Sequence, residues 1–264
     1  MHDPDKLKKM VNRSGFPLQI GLAHHVRQTS GRHGWQVLYQ EHAWRNKLES
    51  TDGFVDLVLA DKNGAIILII ECKRVLDSSW VFLLPHKETG GRRHAKAWVS
   101  RFNGSNFQHF DWKDVTLEPT TPESAYCLVP GQDAKAKPML ERIAAEVMFA
   151  TEAIAAEDKP FVIRRGDSVR MYFNVIVTTA ALKLCYIDPS KVRIRDGTMT
   201  DGEFPAGTYV RFRKQLSTRE LTWPKSFSFS PDVLVNAKEN TVFVVNSEHF
   251  VDFLSEFEVD SMRM

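Results

Sequence analysis

The chain is 264 residues long, 43% hydrophobic and 26% charged, with a net charge of +2. That length and apolar fraction support a substantial core, and the near balance of charge excludes a global polycation, so any phosphate-binding surface has to be a local patch. No apolar run approaches the ~18 residues of a membrane span, and Met1-His2-Asp3-Pro4-Asp5-Lys6 lacks a signal-peptide core. Cys72, Cys127 and Cys185 show neither zinc-site nor disulfide spacing and fit a reducing, cytoplasmic setting.

In chain order, residues 17–29 read as a helix, with Leu18, Leu22 and Val26 on one stripe, Pro17 in the first turn, and Gly31 and Gly34 closing it. Residues 35–41 alternate as a strand. Two apolar runs follow, residues 53–61 and 65–73, separated by Lys62-Asn63-Gly64, a strong hairpin signal. Residues 76–138 lack a long regular period and read as an insertion with short elements. Residues 139–157 form the clearest helix, with Leu140, Ile143, Ala144, Val147 and Ile154 on one face and Pro160 as its stop. Residues 172–179 read as a buried strand with residues 182–187 as a hairpin partner. Residues 209–216 and 242–245 read as further strands, and 247–257 as a terminal helix. The expectation is one α/β domain over residues 1–264, with a mixed sheet, additional C-terminal strands and a last helix.

The two hairpin runs carry three charges at one end: Asp56, Glu71 and Lys73. A two-residue loop at Asn63-Gly64 pairs Lys62 with Ala65 and, counting back, Asp56 with Glu71. Residues directly opposite have Cβ atoms roughly 4.5 to 5.5 Å apart, and like charges there repel. Lys73 returns to the same face within diagonal reach of Asp56, while Cys72 points to the opposite, buried face. A divalent cation plus the ammonium would neutralise the acid pair, and Mg²⁺ favours few carboxylates, several waters and substrate phosphates.

With Val55-Asp56 on one strand and Glu71-Cys72-Lys73 on the next, the chain resembles the PD-(D/E)xK nucleases, which have a restriction-endonuclease-like core of helix, three strands, helix and strand. The resemblance extends upstream to Gly15-Phe16-Pro17-Leu18-Gln19 and downstream to Trp80-Val81-Phe82. It implies a catalytic set of Asp56, Glu71, Lys73 and Gln19, with Asp56, Glu71 and Cys72 at the metal and Lys73 positioning water or stabilising the phosphorane charge. It implies Mg²⁺ as cofactor, with Mn²⁺ as a substitute, and nucleic acid, DNA first, as partner, in a prokaryotic defence or repair role. Gln19 departs from the glutamate that many relatives carry, and a neutral amide adds no metal-binding charge. The rival expectation is a catalytically inactive nucleic-acid-binding or protein-interaction module of the same fold. Homodimerisation is left open.

His86, Lys87, Arg92, Arg93, His94, Lys96 and Arg101 interleave with Trp98, Phe102 and Phe107, a composition suited to gripping phosphates and stacking bases, and equally to a solvated loop with core aromatics. Arg92, Arg93, Lys96 and Arg101 are the nucleic-acid contacts this composition nominates. Arg211 and Arg213 alternate against Val210 and Phe212 and could extend a basic floor, although strand amphipathicity explains them better. Glu41 and His42 could face Asp56, with a frayed strand end as the better default. His24 and His25 diverge on a helix and cannot share a metal. Phosphate-binding Gly-rich loops, dinucleotide fingerprints, His-Glu-x-x-His and Gly-x-Ser-x-Gly do not occur.

Overall fold

The structure, a computed structural model, describes residues 3–76, 78–85, 92–103, 107–131, 137–165, 169–216, 235 and 238–260. Helix α1 (Pro4–Arg13) opens on Asp3, whose side chain accepts the Asp5 N–H at 3.0 Å. Nothing in the sequence reading pointed to it, and it buries no residue. Helix α2 (Phe16–His33) runs through Gly31 and ends at Gly34, whose φ of 77° and N–H bond to the Ser30 carbonyl make the left-handed cap.

A meander follows: β1 (Gln36–Asn46), β2 (Thr51–Ala60) and β3 (Ile66–Lys73). The β2–β3 register runs from Ala60↔Ile67 to Leu57↔Ile70, the count that also sets Asp56 against Glu71. The connection differs from the two-residue loop. Gly64, at φ 66°, donates its N–H to the Asp61 carbonyl, and Asp61 Oδ1 accepts the Ala65 and Ile66 N–H groups at 2.7 and 2.9 Å. The turn therefore closes over residues 61–64 without disturbing the register.

The elements that follow are β4 (Ser79–Pro85), β5 (Arg92–Asn103), β6 (Phe107–Thr121), β7 (Glu123–Ser124), β8 (Tyr126–Leu128), α3 (Met139–Arg165), β9 (Val169–Thr178) and β10 (Ala181–Ile187). After them come β11 (Val192–Arg193), β12 (Thr198–Met199), β13 (Ala206–Gly207), β14 (Tyr209–Gln215), β15 (Glu239–Asn246), α4 (Phe250–Glu256) and β16 (Glu258–Val259). This is a mixed α/β fold with four α-helices among the described residues.

The main sheet has ten strands in the order β1-β2-β3-β9-β15-β14-β7, with β5 against β9 and β6, and β16 against β6. β3, β9 and β15 are mutually parallel, joined through α3 and later crossovers, and the rest of this sheet is largely antiparallel. Successive side chains divide between two cores, as pleating requires. Val58, Ile67, Ile69 and Tyr172 pack with α3, whereas Leu57, Leu68, Ile70 and Phe173 pack with α2 and α4.

Three expectations need correction. The supposed insertion is largely the long β5–β6 hairpin, which adds to the main sheet through pairs such as Trp98↔Tyr172. Ala95, Ala97 and Val99 are buried on one face and alternate with Lys96, Trp98 and Ser100, so two small alanines against an opposing tryptophan give a weak apolar period. Helix α3 passes through Pro160, which removes one N–H donor without ending the helix here. Finally, β10 makes no hairpin with β9. It pairs with β4 in parallel and with β13 in a separate four-stranded sheet, because the apolar Leu182 and Leu184 bury there.

Candidate active site

The site begins with a slip in strand phase. In a regular strand, residues three apart lie on opposite faces. Yet Val55 and Val58 both enter the core beneath α3, and their β1 partners His42 and Tyr39 stack on each other at 4.4 Å. The slip falls at Glu41, opposite Asp56 by the register count, and Glu41 carries the positive φ of 49° that lets the strand change phase. The β2–β3 ladder stops at Leu57↔Ile70, and the Asp56 carboxylate takes a donor from the neighbouring strand: its Oδ2 accepts the Cys72 N–H at 2.6 Å.

Glu71, at the end of β3, accepts from Lys73 Nζ at 2.6 Å, as same-face residues two apart should. Burial raises the Asp56 pKa, and Glu41 adds to the rise while the Cys72 N–H and Lys73 oppose it. Burial also raises Glu71, helped by the charges of Asp56 and Glu146 and opposed by Lys73. One ammonium therefore faces more negative charge than it balances. Gln19, only 4% exposed on α2, donates its Nε2–H to the Asp56 carbonyl at 3.1 Å, so it reaches the site through the backbone.

Beside Glu71 a cleft of about 550 Å³ opens between the start of β2 and the first turns of α3. Trp44, Gly53 and Phe149 line it together with the charged Asp52, Arg142, Glu146 and Lys137. The chain matches no known family, no curated protein and no solved structure. The chemistry of the site therefore has to be read from its own residues. Among the described residues no three His, Cys, Asp or Glu side chains group to hold a metal ion. Two carboxylates still suit Mg²⁺, which binds through one or two of them and keeps its waters.

The sequence-nominated residues divide sharply. Asp56, Glu71, Lys73 and Gln19 come together. Cys72 does so only by its main chain: its side chain lies in the core beneath α2, and burial, with Asp56 and Glu71 nearby, pushes its thiol well above the usual range. A thiolate ligand is thus ruled against.

The basic hairpin is occupied internally. Arg93 pairs with Glu118 at 2.6 Å and Asp260 at 3.0 Å, and Lys96, 6% exposed, pairs with Asp114 at 2.8 Å. Arg101 is half-buried. The Arg92 and Phe107 side chains, together with His86, Lys87, Gly90 and Gly91, lie outside the described residues.

Arg213 bonds Glu239 and Asp114, and Arg211 is fully buried, donating to the Leu117 and Pro119 carbonyls; burial lowers its pKa to about 10. They form no basic floor. His24 and His25 are exposed. The sequence reading passed over Glu146, Arg142 and Lys137, and treated Glu41 as a frayed end although β1 continues to Asn46. An available signal was the Arg142/Glu146 spacing, which puts both on one side of α3.

Proposed function

We propose that the protein is a Mg²⁺-dependent nuclease with a restriction-endonuclease-like core that hydrolyses nucleic-acid phosphodiester bonds, DNA first. The observation that carries this reading is the gathering of Asp56, Glu71 and Lys73 where β2 and β3 part, with both carboxyl pKa values raised and one ammonium set against them. The order α2, β1–β3, α3 and β9 parallel to β3 supports it as well.

Asp56 and Glu71 would hold the cation, which when bound supplies Lewis-acid stabilisation of the charge that builds on the phosphate oxygens. Lys73 Nζ, fixed by Glu71, orients the attacking water and sets a positive charge near the phosphorus. Gln19 holds the Asp56 backbone in place as a positioning residue. Burial of Asp56 and Glu71 strengthens each of these interactions relative to water.

A second reading, a non-catalytic interaction module, has its own support in Gln19 standing where an acid would add charge and in the lack of a three-donor group among the described residues. The test is cleavage of single-stranded, duplex and branched DNA in Mg²⁺ or Mn²⁺ by the wild type, Asp56→Asn and Lys73→Ala, with calorimetric titration of metal. A loss of about a hundredfold or more in both variants, with melting transitions retained, is the expected result. Equal cleavage by all three assigns the activity elsewhere, and no cleavage with no metal binding favours the module.

A further inference from the structure

The main sheet covers its apolar side chains with α2, α3 and α4, whereas α1 buries no residue. Its Leu7, Met10 and Val11 are 42%, 64% and 52% exposed, and Phe16 and Ile20 at the start of α2 are more than half exposed. These side chains sit in a basic stretch. Residues 6–33 contain Lys6, Lys8, Lys9, Arg13, Arg27 and Arg32 and no aspartate or glutamate, so the remainder of a chain with net charge +2 is net negative. Arg27 and Arg32 bond Gln40 on β1 and Asp252 on α4, whereas Lys6, Lys8, Lys9 and Arg13 are exposed and make no ion pair among the described residues.

The two kinds of side chain are sorted around the helix. At about 100° per residue, Leu7, Met10 and Val11 share an arc of about 100°, with Lys6 about 40° beyond Met10 and Lys8 about 60° beyond Val11. Asp5 and Lys9 stand opposite the arc. Cations at both borders of an apolar stripe, on a helix of low overall hydrophobicity, are the pattern of a helix that lies in a lipid–water interface: the stems run along the apolar layer and the ammonium groups reach the headgroups. Ten residues span about 15 Å, half of a ~30 Å hydrocarbon core, so such a helix lies on a bilayer rather than crossing it.

We propose that α1 is an interfacial anchor, lying flat on an anionic lipid surface with Leu7, Met10 and Val11 in the boundary below the headgroups and Lys6 and Lys8 on lipid phosphates. The anchor is independent of the nuclease reading. Other occupants satisfy only part of the helix. Nucleic acid meets the cations and leaves the aliphatic stripe in water. A second copy of the chain covers the stripe but, paired about a two-fold axis, sets the border lysines of one helix against those of the other. A bilayer meets both, and because an isolated helix of ten residues is marginal in water, it also stabilises the helix itself.

The test is co-sedimentation of the full chain with vesicles of phosphatidylcholine alone and of phosphatidylcholine mixed with phosphatidylglycerol, at low and high salt. The wild type should bind the anionic vesicles about tenfold more tightly than the neutral ones, and high salt should remove most of the difference. Lys6→Glu with Lys8→Glu should weaken binding to anionic vesicles about tenfold, and Leu7→Ser with Met10→Ser should do so with no change of charge. Lys47→Glu with Lys62→Glu, an equal charge change at exposed turn positions, should stay within about twofold of the wild type. Because α1 buries no residue, the melting curves of the α1 variants should coincide with that of the wild type.

Equal binding of neutral and anionic vesicles, full binding by Leu7→Ser with Met10→Ser, or an equal loss in the two charge-reversed variants overturns the proposal. Absence of binding to either vesicle also overturns it and leaves the stripe to a protein groove or to a second copy, the latter read by sedimentation equilibrium. Fluorescence anisotropy of labelled single-stranded and duplex DNA tests the other use of the same cations. Affinity for DNA that falls in Lys6→Glu with Lys8→Glu, in a protein that ignores vesicles, makes α1 a nucleic-acid arm and overturns the anchor. Cleavage does not enter these measurements, so the nuclease reading can fail while the anchor stands, and the reverse.

Discussion

Two charged clusters sit on the main sheet, and they are built differently. At the junction of β5, β6, β14 and β15, Lys96 and Arg213 face Asp114 and Glu239, with contacts of 2.8, 3.3 and 2.8 Å: two cations against two acids. Where β2 leaves β3, Lys73 alone faces Asp56 and Glu71, with the charges of Glu41 and Glu146 also felt there. The first cluster is neutral within itself and needs nothing from outside. The second carries surplus negative charge in a partly desolvated place, which a fold keeps only at a cost and which the proposed cation would neutralise. Charge matching, more than the presence of charge, separates the structural network from the proposed site.

The largest effect should come from breaking the matched cluster. Asp114→Asn leaves the buried Lys96 ammonium without its counter-ion and should cost about 3 kcal/mol, the low end for a buried pair because Asp114 is itself partly exposed. Denaturant unfolding measures this, and metal binding should be unchanged. A loss under about 0.5 kcal/mol would show that the network does not hold the sheet.

Next in size is the response of the unmatched cluster to metal. At a hundred times its dissociation constant, Mg²⁺ should stabilise the wild type by about 2.7 kcal/mol through mass action, and Glu71→Gln should abolish the gain. Thermal melts with and without Mg²⁺ read this directly, and an equal shift in both proteins would place the cation elsewhere.

Without metal, Glu71→Gln should raise stability by about 1 kcal/mol at neutral pH, by relieving the repulsion from Asp56 and Glu146. The pH dependence follows with a fixed sign. Asp56 and Glu71 have folded pKa values raised above their ordinary ones, so the folded state holds protons that the unfolded chain releases. Their contribution is full below the unfolded carboxylate pKa and is lost as pH climbs through the folded values. Metal-free wild type should therefore lose stability over that window, and Glu71→Gln should lose less. Parallel curves for the two proteins would contradict the shared desolvation. The smallest effect should be that of Arg93→Ala on nucleic-acid affinity, namely none, because its guanidinium already serves Glu118 and Asp260.

The hairpin charges were legible because their placement is local. Asp61-Lys62-Asn63-Gly64 fixes the register of β2 on β3 whatever the turn type, and pleating then sends Glu71 and Lys73 to one face and Cys72 to the other. The long β5–β6 hairpin was not legible, since alanines carry much of its apolar face and its cations resemble those of a loop. Composition suggested phosphate binding there; what the structure adds is partners distant in sequence, Asp260 for Arg93 and Thr241 for the Lys96 backbone.

By itself the sequence determined the α2–β1–β2–β3 opening, the α3 stripe, the buried Cys72 and the Asp56–Glu71 register, because each depends on a period or a turn read within about twenty residues. Only the tertiary structure decided the phase slip at Glu41, the Gln19 bond to the Asp56 backbone and the approach of Glu146 to Glu71. Those depend on contacts between segments far apart in the chain, set by how β1, α2 and α3 pack on the sheet. No local pattern encodes the distance between an arginine and an acid a hundred residues away.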